Sequence, residues 1–214
     1  WVIGFSDITI LHNLIQHEGF ASLHAPMARH LTVEAEDDYC TLAMKDILLG
    51  QYQAGTAQSV IPEEQGFSYT TAVHKLNHAG CANGTLRGGN LAVAYGLRGT
   101  EWDIPAEGTI LFIEDVGERP HAVERMMYNL KLGGVLEKLS GLIIGQFTEY
   151  EENRSLGKEL YGALADLVKE YDYPICFGFD VGHVSRNLPL INGANVTLGV
   201  SKNEVKLTFN INPE

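Results

Sequence analysis

Cysteine is scarce in this chain. Three occur in 214 residues, Cys40, Cys81 and Cys176, an odd number with no C-x-x-C pair. That excludes a disulfide-stapled fold and a thiolate zinc cluster, and it fits free thiols in a reducing, cytoplasmic setting. No base stands beside any of them, so all three read as packing residues. Positive charge is short as well. Fifteen Lys and Arg against 27 Asp and Glu leave a formal charge of −12, which argues against nucleic acid or an anionic membrane as a partner. No apolar run is long enough to span a bilayer, and no signal-peptide pattern occurs. Walker spacing and G-x-G-x-x-G are both missing, so no nucleotide cofactor is expected. His74 and His78 have the spacing of a ligand pair but lack the intervening Glu and an obvious third ligand. No metal is expected there.

What the chain does have is apolar residues, 45% of the total, enough to bury a core. The most informative stretch is the first, Trp1-Val2-Ile3-Gly4-Phe5-Ser6-Asp7-Ile8-Thr9. β-formers run into Gly4, then Ser-Asp, then a helical pattern. Strand, sharp turn and helix is the geometry that lifts a serine Oγ clear of a sheet. The same residues also read as an ordinary junction with Ser6 or Asp7 as helix cap. Ile8 stands where the second Gly of G-x-S-x-G would be. The chain starts with Trp inside what looks like a core strand, so the expectation is a fragment whose N-terminal part is absent.

Along the chain, Ile8, Leu11, Leu14 and Ile15 mark a helix over 8–18 with that side inward, leaving His12 and His17 solvated. Residues 20–24 read as a strand. A second helix is predicted over 34–49, with Glu34, Glu36, Asp37 and Asp38 in its first turn, where the dipole favours negative charge. The polar stretch 51–66 is the linker candidate. Strand-like residues follow from Phe67. Gly80 to Gly89 reads as a loop with four glycines, and Asn90 to Leu97 as a short helix. Arg87-Gly88-Gly89-Asn90 suits a carboxylate or a close backbone approach. The apolar run 109–113 ends in Glu114-Asp115, a strand end that delivers a carboxylate into a loop. Pro120 opens a helix with Val123, Met126, Met127 and Leu130 inward. Residues 142–147 and 174–177 are buried strands, separated by a helix marked by Leu156, Leu160, Leu164, Leu167 and Val168. His183 follows a glycine-rich loop. Two antiparallel strands, 196–200 and 205–209, close the chain around a Ser201-to-Glu204 turn.

Three residues stand out: Ser6, Glu114 and His183, each at a strand end or elbow. A serine needs a base within reach, and a carboxylate on the far imidazole nitrogen fixes the tautomer and steadies the imidazolium.

Here the chain resembles the LD-carboxypeptidases, also called murein tetrapeptide carboxypeptidases, and their relatives the microcin C immunity peptidases. The matching motifs are Ile3-Gly4-Phe5-Ser6-Asp7-Ile8-Thr9, Gly88-Gly89-Asn90-Leu91, Ile110-Leu111-Phe112-Ile113-Glu114-Asp115 and Gly182-His183. His24-Ala25-Pro26, Gly99-Thr100, Glu124-Arg125 and Ile143-Ile144-Gly145-Gln146-Phe147 support them, with Ala25 and Glu124 as departures from the usual Gly and Asp. Roughly the first third of the family pattern has no counterpart.

The resemblance implies a serine peptidase with Ser6 as nucleophile, Glu114 as acid and His183 as base. It implies the Asp7 backbone N–H as one oxyanion donor, and Gly89 and Asn90 near the substrate. It implies a murein peptide substrate, an α/β fold, a cytoplasmic location and a homodimer. The expected organisation is residues 1–50 as the end of a parallel-sheet nucleophile domain, 51–66 as linker, and 67–214 as a second α/β domain carrying Glu114 and His183. Alone, these 214 residues are expected to show little turnover. Arg87 and Arg29 are the candidates for holding the substrate carboxylate. An immunity-type amidase acting on a peptide–nucleotide, and a non-catalytic peptide-binding or dimerisation module, are the competing readings.

Overall fold

A computed structural model describes residues 1–35, 37–51, 66–152 and 158–210. The strands are β1 (Ile3–Gly4), β2 (Ser22–His24), β3 (Gly66–Thr71), β4 (Gly80–Asn90), β5 (Thr109–Val116), β6 (Gly141–Thr148), β7 (Ile175–Phe177), β8 (Leu190–Asn192), β9 (Asn195–Val200) and β10 (Val205–Asn210). The helices are α1 (Thr9–His17), α2 (His30–Val33), α3 (Tyr39–Leu49), α4 (Leu91–Tyr95), α5 (Pro120–Leu132) and α6 (Leu160–Val168). The chain is thus α/β, as its alternating patterns predict.

Seven strands form one mixed sheet in the order β3-β10-β9-β4-β5-β6-β7. The β4-β5-β6-β7 half is parallel and the β3-β10-β9-β4 half antiparallel. Parallel strands are buried on both faces, so they read as unbroken apolar runs. Along β5 the period of two sends Ile110 and Phe112 into one core and Leu111 and Ile113 into the other. The second core is filled by Val123, Met127 and Leu130 of α5 and by Leu164 and Val168 of α6. Fully burying each such side chain contributes roughly 1.5–3 kcal/mol. Pro120 begins α5, where its missing N–H costs nothing.

A smaller sheet, β1-β2-β8, carries the first strand of the chain. Its third strand comes from residues 190–192, and Leu23, Ala43, Met44 and Ile47 share one core with Phe112, Leu207 and Phe209. Residues on the two sides of the predicted linker are therefore packed together. Most of that linker, residues 52–65, lies outside the described residues.

Four expectations are corrected. Gly80 to Gly89 is an eleven-residue strand with Asn90, not a loop. Glycine serves there because backbones crowd: a Cβ at Gly84 would lie 2.6 Å from the Gly108 carbonyl oxygen, and one at Gly88 would overlap that of Phe112. The second helix starts at Tyr39, and Asp38 caps it by accepting the Thr41 N–H at 2.8 Å. Glu34 and Asp37 precede it; Glu36 and Leu156 lie outside the described residues. Cys40 and Cys176 are buried, but Cys81 is exposed on β4. The fourth correction concerns α1. Thr9, His12, Asn13 and Gln16 are its buried residues, while Ile10 and Leu11 are exposed. Polar partners under the helix decide this orientation.

Candidate active site

The serine sits where the chain turns from β1 into α1. Phe5 is extended, Ser6 has φ of 66°, and residues 6–8 form a single 3₁₀ turn before the helix. Positive φ is costly for a residue with a Cβ, and such strain clusters at functional positions. Gly4, at φ 148°, faces the same turn, and a Cβ there would lie 2.8 Å from Ile8 Cδ1.

Buried polar groups hold this turn. His12 is fully buried. Its Nε2 donates to the Gly4 carbonyl at 3.0 Å, and its Nδ1 pairs with Ser22 Oγ at 2.8 Å. A carbonyl can only accept, so His12 carries its proton on Nε2 and accepts a hydrogen bond from the Ser22 hydroxyl on Nδ1. Burial lowers its pKa and keeps it neutral. Thr9 Oγ1 accepts the Asn90 N–H at 3.0 Å, tying α1 to the end of β4. The expectation of a solvated His12 is overturned by these bonds.

Glu114 lies in the last part of β5, where the β5–β6 register shifts between Ile113 and Asp115. Such an irregularity re-aims a side chain. Glu114 is fully buried, and Oε2 accepts from His183 Nδ1 at 2.7 Å. His183 Nε2 lies 3.1 Å from Ser6 Oγ. The three candidate residues, from positions 6, 114 and 183, therefore meet in one hydrogen-bonded line. The carboxylate fixes the proton on Nδ1, which leaves the Nε2 lone pair toward the serine hydroxyl.

Burial pushes the Glu114 carboxyl up, and the His183 hydrogen bond and charge oppose this without reversing it. Burial lowers the His183 pKa, but the Glu114 hydrogen bond and the charges of Glu114, Asp115 and Glu149 raise it to a net position above the ordinary imidazole value. The Phe5 ring meets the imidazole edge-on at 4.7 Å. The loop bearing His183 is pinned as well. The Gly182 N–H donates to Asn187 Oδ1 at 3.0 Å, and Arg186 pairs with Asp180 at 2.9 Å while lying over the Tyr39 ring.

Asp7, whose N–H is the expected oxyanion donor, is exposed in the first turn, where backbone donors lack intrahelical partners. Asn90 and Gly89, expected near the substrate, have protein partners of their own. Asn90 is 3% exposed. Its Nδ2 donates to Asp115 at 2.9 Å and its Oδ1 caps α4 by accepting the Val93 N–H at 3.1 Å. Asp115 also takes the Ala92 N–H at 2.9 Å. A Cβ at Gly89 would lie 2.5 Å from Thr9 Oγ1, so that glycine makes room for α1. Both residues pack against Thr9 of α1, and Asn90 also against Asp115 of β5.

An open cleft of about 800 Å³ runs up to His183, walled by Phe5, Met27, Arg29, His30, Glu34 and Glu149. Ser6 and Glu149 are the non-glycine residues with positive φ among the described residues, and Glu149 reaches this cleft from the end of β6. Sequence reading gave no role to Glu149; only the backbone geometry marks it. His74 meets the Tyr161 ring edge-on and lies tilted against Phe177, and no group of three or more metal-ligating side chains that could hold a metal occurs among the described residues. No helix among the described residues is long and apolar enough to cross a membrane.

The family model for the LD-carboxypeptidase C-terminal domain matches residues 83–198, more than half of the chain. The chain belongs to the LD-carboxypeptidase family. A Bacillus subtilis protein described as "Probable murein peptide carboxypeptidase" is 31% identical over 207 residues, covering 93% of this chain and 60% of that protein. The Escherichia coli "Microcin C7 self-immunity protein MccF" is 30% identical over 132 residues, 61% of this chain and 38% of its own length. Among solved structures, the muramoyltetrapeptide carboxypeptidase of Oxalobacter formigenes superposes with a TM-score of 0.83 at 26% identity, over 99% of this chain and 68% of that one. The chain thus spans about 60% of the length of the curated carboxypeptidase relatives it matches.

Proposed function

We propose that this LD-carboxypeptidase family member is a serine carboxypeptidase that releases the terminal D-alanine of murein tetrapeptide by cleaving an L,D bond. The observation that carries this reading is the line Ser6–His183–Glu114, with contacts of 3.1 and 2.7 Å. His183 Nε2 takes the proton of Ser6 Oγ as the oxygen bonds to the scissile carbonyl carbon. Charge develops on the carbonyl oxygen, where the Asp7 N–H is the donor the elbow offers. The imidazolium, steadied by Glu114, then protonates the leaving amine as the C–N bond breaks. Free D-alanine departs and the acyl group stays on Ser6. Water, deprotonated by the same imidazole, releases it and restores the serine.

The reading extends to a cytoplasmic homodimer acting in peptidoglycan recycling, in a two-domain organisation divided at the 51–66 stretch. Its support is the family and the free cysteines. A second reading, an immunity-type amidase acting on a peptide–nucleotide, draws on the relation to the microcin immunity protein. The test is a substrate panel with the full-length protein: murein tetrapeptide, its terminal L-alanine epimer and a peptidyl-nucleotide amide. D-alanine release from the first alone is the expected result. Turnover of the nucleotide amide alone would select the second reading.

A further inference from the structure

A carboxypeptidase must tell a terminal carboxylate from an internal amide, and a cation close to the scissile bond is a direct way to do so. Resting on the peptidase reading above, the geometry points to Arg29 as the residue that binds the substrate's terminal carboxylate. Sequence left two arginines in play, and their surroundings separate them. Arg87, on β4, turns toward α1 and donates from Nη1 to Gln16 Oε1 at 2.8 Å. It is half-buried there and is not a wall of the cleft.

Arg29 is exposed and lines the cleft that His183 opens into. Among the described residues its guanidinium has no carboxylate within ion-pair distance, whereas Arg98 and Arg186 each have one. Its backbone is held by a closed turn. The His30 N–H donates to the Met27 carbonyl at 2.8 Å, and the Met27 N–H donates to His30 Nδ1 at 3.1 Å. The Thr32 hydroxyl and the Arg29 carbonyl bond at 2.7 Å.

The Phe5 ring bridges this turn to the triad, 6.1 Å from the His30 ring and 4.7 Å from that of His183. Glu34 and Glu149 share the cleft and repel a carboxylate, which leaves Arg29 as the arginine in its wall that can attract one. A guanidinium suits the task because its planar fork meets both carboxylate oxygens.

The experiment compares murein tetrapeptide with its C-terminal amide, in the full-length wild type, Arg29→Gln and Arg29→Lys. The wild type should prefer the acid, and Arg29→Gln should cut the acid-to-amide ratio of kcat/KM by about ten- to a hundredfold, mostly through KM. Arg29→Lys should recover part of the ratio, having charge without the fork. In a Ser6→Ala background, calorimetric binding of the acid should weaken at least tenfold with Arg29→Gln. A preserved acid preference, or unchanged binding, overturns the assignment while leaving Ser6-dependent hydrolysis intact. Hydrolysis that does not depend on Ser6 removes the peptidase reading beneath it.

Discussion

Replacing Glu114 by glutamine separates catalysis from stability at the centre of the site. The substitution keeps the shape of a fully buried side chain and deletes its charge. The carboxylate accepts from His183 at 2.7 Å. In the acylation proposed above His183 becomes an imidazolium, and that charge is what Glu114 would stabilise. Opposite charges about 4 Å apart at an effective dielectric near 20 attract by about 4 kcal/mol. Each 1.36 kcal/mol is tenfold in rate, so losing the attraction costs about 10³-fold. A glutamine that offers N–H to Nδ1 also reverses the tautomer, which brings the loss to about 10⁴-fold. The pH profile should move too. The His183 pKa is raised in the wild type, so activity falls as pH drops through a value above 6.5. Glu114→Gln should shift that limb downward. Stability should behave differently. The Glu114 pKa is raised by burial, so its contribution favours folding below about 4.5 and is lost as pH rises through the folded value. At pH 8 the variant should therefore melt within about 4 °C of wild type. The assays are steady-state D-alanine release across pH and thermal melting at pH 8. Activity within tenfold of wild type, with an unmoved acid limb, refutes the reasoning.

Gly182→Ala tests the loop behind His183. Its φ is 131°, and a Cβ would sit 3.0 Å from both the Gln146 carbonyl oxygen and Glu114 Cβ. Melting should fall by at least about 1 kcal/mol, and turnover by about 10²-fold, the cost of a misplaced catalytic group; wild-type values in both assays would contradict the packing described. Acid should destabilise the fold through His12 and His24. Burial lowers both pKa values, and repulsion between the histidines as they protonate, with His12 and His183 as neighbours, lowers that of His24 further. A depressed folded pKa gives stability that is present above 6.5 and lost as pH falls, at up to about 1.4 kcal/mol per pH unit for each histidine. His24 is fully buried with no hydrogen-bond partner on either nitrogen among the described residues. Urea titrations from pH 7 to 5 should therefore give a slope roughly halved by His24→Leu, and an unchanged slope would rule out His24 as its source.

Much of this was legible in the sequence. Ser6, Glu114 and His183 each follow a β-run, and a strand end is where an open sheet presents side chains. The α/β class and the closing hairpin followed from period and turn chemistry. The misreadings have physical causes. Thr9, His12, Asn13 and Gln16 have perfect helical spacing, but a polar stripe is read as solvent-facing unless buried partners are known. Here Gly4 and Ser22 supply them for His12, Asn90 for Thr9 and Arg87 for Gln16. The glycines of β4 looked like a loop because local propensity is blind to the neighbouring backbone that demands them. The Asn90–Asp115 hydrogen bond could not be read because the two residues stand 25 positions apart. Glu149 carried no signal at all, since a positive φ in a non-glycine residue is imposed by the fold.

The central claim is that Ser6 is the nucleophile, and the most direct measurement is D-alanine release from murein tetrapeptide by the full-length protein and by its Ser6→Ala variant. The account predicts that kcat falls by about 10⁴-fold or more with the melting temperature preserved. Unchanged kcat in a folded Ser6→Ala protein would contradict it.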